Sequence, residues 1–256
     1  MVEAGPTGIS FVILDASNCF SAVVVYSFSQ GMNATAMEAE FNEIFRTENY
    51  LQQAFKKINI VWTFDQSTLI PAEFFDKESC EQVLDLVYGD LNKGLLKTDF
   101  MFHHNIHNVY RVPQWAINAL PSSFQYVNQT HQHSLLPDIV AKTGDRLFVI
   151  FYNSRLTVLL MKAGAIQVIQ HFEYETPDDA AWHLLNVCQS FEMKPDDTVL
   201  QLSGMIDTGS SLYTNLYRYF LHVELAGLPG NATFTEAIKH YPPHFFSYLF
   251  TQALCV

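Results

Sequence analysis

One order of local patterns occurs twice along the chain, and each time it runs from consecutive apolar runs of strand length to a helix, a strand and a helix. In the first half, Gly8–Leu14 and Ser21–Phe28 are rich in Val, Ile and Phe and flank the turn formers Asp15-Ala16-Ser17-Asn18, which predicts a hairpin. Met37, Phe41, Ile44, Phe45, Leu51 and Phe55 then recur at helical spacing opposite Glu38, Glu40, Glu43 and Arg46. Ile58–Phe64 reads as a buried strand, and Asp76 opens a second helix whose inner side is Cys80, Val83, Leu84 and Val87. In the second half, Leu147–Phe151, Thr157–Met161 and Ala165–Phe172 read as three strands. Thr176-Pro177-Asp178-Asp179 combines a capping residue, a proline at the first helical position and an acid that can reach back, a strong helix start. Ala181, Leu184, Leu185, Cys188 and Phe191 form that helix's apolar side; Thr198–Leu202, a helix around Leu212, Leu216 and Phe220, and a strand His222–Leu225 follow. No residue-level identity links the halves, so the repeat is one of architecture. Hairpin strands followed by alternating helices and strands imply mixed sheets with helices on their faces, the α/β class. The join is expected in the polar stretch Ser122–Thr143, with an N-terminal lobe over 1–130 and a C-terminal lobe over 131–256.

Composition narrows the partners. Fourteen basic against 26 acidic residues give a net charge of −12. Such a field repels nucleic acid and anionic lipid, since phosphate binding needs clustered Lys and Arg. The longest apolar runs, such as Ala22–Tyr26 and Leu156–Met161, fall far short of the roughly 20 residues that span a bilayer. No basic segment followed by an apolar run opens the sequence, and Cys19, Cys80, Cys188 and Cys255 lack CxxC spacing. A reduced, cytoplasmic protein is the expectation. Three glycosylation sequons, at Asn33, Asn128 and Asn231, then count as chance matches.

Leu69-Ile70-Pro71-Ala72-Glu73-Phe74-Phe75, Tyr110-Arg111-Val112-Pro113, His171-Phe172-Glu173-Tyr174 leading into Thr176–Asp179, Leu202-Ser203-Gly204-Met205-Ile206 and Tyr217-Arg218-Tyr219 follow one another in a distinctive order. In these residues the chain resembles an uncharacterised Bacteroidetes family, domain of unknown function 3822. The resemblance covers most of the chain. It implies two ribonuclease H-like lobes of the actin-like ATPase type, shared with sugar kinases, heat-shock-70 proteins and actin; the family brings no established activity.

ATP-hydrolysing members of that superfamily hold the nucleotide's phosphates with two hairpin turns. The first resembles Asp-x-Gly-Ser/Thr, its acid organising Mg²⁺ and its glycine admitting backbone N–H groups to the phosphates. The matching turn here is Asp15-Ala16-Ser17-Asn18, with Ser17 where glycine belongs. The second turn ordinarily carries an acid and glycines and here reads Tyr152-Asn153-Ser154-Arg155. Of the paired glycines on the adenine side only Gly204 remains, in Ser203-Gly204-Met205. Asp15, Ser17, Asn153, Ser203 and Gly204 are therefore the nucleotide-pocket candidates, and Asp15 reads as a turn former. Phosphoryl transfer rests on positioning and charge neutralisation, and both are reduced here. No catalytic residue, metal ligand or cofactor is expected; the expected function is a non-catalytic scaffold that binds a protein partner or its own copy. The alternative is a divergent ATP-dependent kinase or ATPase holding ATP and Mg²⁺ between the lobes. A third reading is a small-ligand binder in the same cleft.

Other constellations reduce to simpler accounts. His103, His104 and His107, and His131 with His133, lack the acids of HExxH, and Phe100-Met101-Phe102 before the first group reads as strand. Asp207-Thr208-Gly209-Ser210-Ser211 has the letters of an aspartic-protease motif but occurs once, at a helix start where Asp and Ser serve as caps. No GxSxG, P-loop or dinucleotide fingerprint occurs. Tyr213, Tyr217, Tyr219 and Phe220, and the run His244–Phe250, read chiefly as core.

Overall fold

The computed structural model describes residues 1–89, 94–124, 127–140 and 144–256. In chain order the main elements are β1 (Val2–Gly5), β2 (Gly8–Leu14), β3 (Cys19–Ser27), α1 (Ala34–Thr47), β4 (Asn59–Trp62), β5 (Ser67–Pro71), α2 (Cys80–Tyr88), β6 (Gly94–Met101), β7 (Ile106–Pro113), α3 (Gln114–Asn118), β8 (Asn128–His131) and α4 (Gln132–Ile139). The second series is β9 (Arg146–Phe151), β10 (Arg155–Lys162), β11 (Ala165–Glu173), α5 (Pro177–Ser190), β12 (Val199–Gly204), α6 (Ser211–Leu216), β13 (His222–Leu225), β14 (Thr233–Phe234), α7 (Glu236–Lys239) and α8 (Pro243–Cys255).

The duplication is visible in strand order. One sheet contains β3-β2-β1-β4-β8 and the other is β11-β10-β9-β12-β13. In each, the strand at the third position pairs antiparallel with its predecessor and parallel with the next, and the last pair is parallel again. The chain divides into one unit of residues 1–11 and 25–135 and a second of 12–24 and 136–256. In the second unit, the tip of the β2–β3 hairpin receives β14, with Thr233 opposite Cys19 and Phe234 opposite Phe20.

In the first unit the core is built on rings: Phe41 meets Trp115 edge-on at 5.1 Å, Trp115 meets Phe64 at 5.7 Å, and Phe45 meets Phe124 at 5.6 Å. Where the second unit has only α6 between its parallel strands β12 and β13, this unit inserts β5, α2, β6, β7 and α3 between β4 and β8. The inserted strands form a small sheet, β5-β7-β6, which sequence periodicity did not separate from the body. Cys80 and Leu84 of α2 close on Val109 of that sheet, whereas Val87, expected on the same inner side, is exposed, and the last turn is held instead by the Tyr88 hydroxyl, which donates to the Ser67 carbonyl at 2.7 Å. Arg111, itself buried, ties β7 to α2 through Asp85 at 2.9 Å.

The polar stretch 122–143, where the join was expected, contains β8 and the whole of α4; residues 125–126 and 141–143 lie outside the described residues. Polar Asn128-Gln129-Thr130 has no strand signature of its own, and Pro137 lies inside α4. Both elements are tied to Asp99 of β6, and β8 also pairs with β4. Its Oδ2 accepts from the Thr130 hydroxyl (2.6 Å), the His131 N–H (2.8 Å) and the Ser134 hydroxyl (2.7 Å), and its Oδ1 from the Tyr110 hydroxyl (3.2 Å).

The second unit follows its periodicity closely. Leu147, Val149, Leu156, Val158, Leu160, Leu184, Leu200 and Leu202 are fully buried in one cluster. The C-terminal run is core, as α8, with Phe246, Tyr248, Leu249 and Phe250 buried; Tyr217 and Tyr219, read with the core, are instead exposed. Thr176 and Asp179 form the full capping box on α5: the Thr176 oxygen accepts from the Asp179 N–H at 3.2 Å and Asp179 Oδ2 accepts from the Thr176 N–H at 2.9 Å. The Thr176 hydrogen bonds hold the Asp179 carboxyl below its ordinary value. A depressed carboxyl stabilises the fold above its unfolded pKa, and that contribution disappears as pH falls through the folded one. Asp179→Asn is therefore expected to flatten the loss of melting temperature on acidification below the ordinary carboxylate range; an unchanged acid slope contradicts this.

Candidate functional site

The two hairpin tips and the end of β12, all within the second unit, carry the candidate residues. In the first tip, Asp15 Oδ1 accepts from the Ser17 N–H (2.8 Å), the Ser17 hydroxyl (2.6 Å) and the Cys19 N–H (2.9 Å). This is the self-bonding that Asp favours in turns. The Ser17 hydroxyl and then the Cys19 N–H hold the carboxyl below its usual range. Asn18 takes the left-handed conformation, φ 62°, which Asn tolerates, and its amide donates to the Asn231 carbonyl at 2.7 Å.

In the second tip, Tyr152 N–H donates to the Arg155 carbonyl at 2.8 Å and Asn153 is exposed at the apex. Tyr174 braces the turn twice: its N–H donates to the Ser154 carbonyl at 3.0 Å and its hydroxyl to the Tyr152 carbonyl at 2.9 Å. Burial pushes the Tyr174 phenol up to about 12, so it remains a donor throughout the physiological range. Arg155, where the chain re-enters the sheet, is buried.

The end of β12 is packed from both sides. Gly204 has φ 84°, and a Cβ there would lie 2.2 Å from the Phe151 carbonyl oxygen. That oxygen accepts from the Met205 N–H at 2.7 Å, so β9 and β12 approach too closely for any side chain at this position. Ser203 is fully buried; its hydroxyl donates to the His244 carbonyl at 2.9 Å and lies 2.8 Å from the Ser247 hydroxyl, tying β12 to α8. His244 donates from Nε2 to the Ile206 carbonyl at 2.8 Å. Among the described residues no hydrogen bond joins Asp15 or Ser17 to Asn153, Ser203 or Gly204.

An open cleft of about 480 Å³, missed in the sequence, lies beside the starts of α5 and α6, beyond the carboxyl ends of β11 and β12. Asp178, Ser211, Thr214, Asn215 and Arg218 line it. Asn215 donates to Asp178 Oδ1 at 2.8 Å, and Ser210 caps α6 by accepting from the Tyr213 N–H. Its sequence signal was the pair of helix starts, Thr176–Asp179 and Asp207–Ser211, whose adjacency appears only in the fold, where Asn215 of α6 bonds Asp178 of α5. The cleft can offer one cation and one carboxylate. Two of the grouped histidines have structural partners: His131 accepts at Nδ1 from the His133 N–H and donates from Nε2 to the Phe64 carbonyl, and His107 stacks on Phe75. Among the described residues no three His, Cys, Asp or Glu side chains converge as metal ligands, and no helix is long and apolar enough to cross a membrane.

The profile of a family described as protein of unknown function (DUF3822) matches residues 1–223. No curated protein matches by sequence. Among solved structures, the chain is similar to a Bacteroides thetaiotaomicron protein with an actin-like ATPase fold and unknown function, with a TM-score of 0.76 at 17% identity over 88% of this chain and 89% of that one. It is also similar to a chain of the PilM–PilN type IV pilus biogenesis complex, with TM-score 0.66, 10% identity and coverage of 99% and 97%. The third is the cytoplasmic domain of EpsL, an inner-membrane component of the Vibrio cholerae type II secretion system, with TM-score 0.52, 10% identity and coverage of 100% and 94%. Together with the duplicated sheets, these likenesses show the fold to be of the actin-like ATPase type.

Proposed function

The chain belongs to the DUF3822 family of proteins of unknown function, and from that premise we propose that it is a non-catalytic, partner-binding scaffold built on an actin-like body. The observation that carries this reading is the state of the Asp15 carboxylate. One of its oxygens already accepts three hydrogen bonds from its own turn, with Ser17 in the place where a glycine would admit a phosphate. The opposite turn supports it further, since it offers a buried Arg155 and no acid to complete a Mg²⁺ site. Gly204 has a packing requirement that accounts for its presence without a nucleotide. Two proteins of the same fold occur in assemblies, PilM with PilN and EpsL within a secretion system, which supports protein partnering as a use of this body.

Isothermal titration of the full chain with ATP and Mg²⁺ is expected to give no heat of binding at micromolar nucleotide and no release of phosphate. Micromolar binding with hydrolysis that Asp15→Ala abolishes, without lowering the melting temperature, would instead establish the divergent ATPase.

A further inference from the structure

The strongest unexplained surface lies at one end of the small sheet in the first unit. Phe102 sits in the β6–β7 turn and is 78% exposed, Phe74 at the end of β5 is 73% exposed, and Phe100 on β6 is 50% exposed. Phe100 and Phe102 are in contact, and the segment that carries Phe74 is tied to the same turn. Phe75 stacks on His107 with centroids 3.7 Å apart, His107 meets Phe100 at 4.7 Å, and Phe100 meets Phe102 edge-on at 6.3 Å. The Ala72 N–H donates to the Asn105 carbonyl at 3.0 Å, fixing the Phe74 segment to the β6–β7 turn. A turn tip gains nothing for folding by presenting a ring to water, and a contiguous exposed apolar patch marks an interaction site.

Charge selects the occupant. The segment 71–89 that borders the patch carries Glu73, Asp76, Glu78, Glu81 and Asp85 against the single cation Lys77. Asp85 is neutralised by Arg111, whereas Glu73 and Glu78 are exposed close to Phe74 and Phe75 in the chain, and Asp76, also exposed, caps the turn that follows. A second copy would set the same acids, and a net charge of −12, against themselves. An anionic bilayer is repelled for the same reason. We propose that Phe74, Phe100 and Phe102 form a docking surface for a protein segment whose apolar anchor side chains are flanked by Lys or Arg. The proposal rests on the partner-binding reading above and deepens it: rings take the anchors and the acidic border steers and orders the cations.

The test uses the full chain and a labelled peptide of about 12 residues bearing Leu and Phe anchors between lysines, followed by fluorescence anisotropy at about 0.15 M salt. Binding tighter than about 100 µM is expected, weakened at least tenfold by Phe74→Ser with Phe102→Ser. Glu73→Lys with Glu78→Lys is expected to weaken it too and to reduce its salt dependence. Trp182→Ser, an exposed ring in the other unit, serves as the control and is expected to leave binding unchanged. Both serine positions are solvent-facing, so melting temperatures stay at the parent value. Absent peptide binding, equal binding of a glutamate-flanked peptide, or equal loss in the Trp182 variant overturns the proposal. A dimer in sedimentation, or flotation with phosphatidylserine vesicles, that the double serine variant abolishes overturns it in favour of a second copy or a membrane. Failure here leaves the nucleotide titration untouched, and ATP hydrolysis would sink the non-catalytic reading while leaving this surface intact.

Discussion

Asp99→Ala is expected to destabilise the first unit by about 3–5 kcal/mol, because several donors lose their common acceptor at once. Asp99 receives the Thr130 hydroxyl, the His131 N–H, the Ser134 hydroxyl and the Tyr110 hydroxyl. His131 and Tyr110 are almost wholly buried, so water reaches them poorly once the carboxylate is gone. Each stranded buried donor costs about 1–3 kcal/mol, and partial rehydration of the outer hydroxyls brings the sum into the stated range. Lys97, whose ammonium burial holds below its ordinary value, loses an opposing charge as well. Asp99→Asn keeps the shape but turns an amide N–H₂ towards these donors, and an intermediate loss is expected. Chemical denaturation with an unchanged m-value is the measurement. A loss below about 1 kcal/mol would mean that β8 and α4 are held by packing alone.

The second large effect is at Gly204. Gly204→Ala is expected to cost the second unit about 3 kcal/mol or more and to lower its melting midpoint by about 6–12 °C. The added Cβ would meet the Phe151 carbonyl oxygen at 2.2 Å and the Phe151 nitrogen at 2.8 Å, and these are backbone atoms with no rotamer to change. The φ of 84° adds strain for any L side chain. Relief requires the ends of β9 and β12 to separate where Phe151, Val149 and Leu202 are fully buried in one cluster, and these would lose contacts. The experiment also separates two accounts of this glycine. A packing role predicts a large loss of stability, whereas a glycine kept only for close approach of a nucleotide would tolerate alanine in the empty protein. A stable Gly204→Ala variant would therefore reopen the adenine-side reading.

The readability of the chain differed between its halves for identifiable reasons. β9 and β10 are apolar runs and β11 alternates apolar with polar residues, so their side chains alone announce them. α5 announced itself through Thr176, Pro177 and Asp179, whose hydrogen bonds are entirely local. β1 is only Val2-Glu3-Ala4-Gly5 and exists because β2 pairs with it on one side and β4 on the other. The polar strand β8 likewise depends on β4 and on Asp99, about 30 residues earlier in the chain. Among the candidate residues, the turn-forming role of Asp15 was legible because an Asx turn is made within the turn itself. Ser203 was not: a polar residue after a strand reads as a turn, yet its hydroxyl is satisfied by α8, 41 and 44 positions away.

From sequence alone came the twofold order of elements, the net acidic charge, and the Asx-turn chemistry of Asp15, because composition, periodicity and turn chemistry act over a few neighbouring residues. Which strands share a sheet, that a third sheet is inserted between β4 and β8, and that Phe74, Phe100 and Phe102 face water together were decided only in three dimensions. A phenylalanine carries the same apolar surface wherever it stands in the chain. Whether that surface is covered depends on partners brought to it by distant backbone pairing, and no local pattern records them.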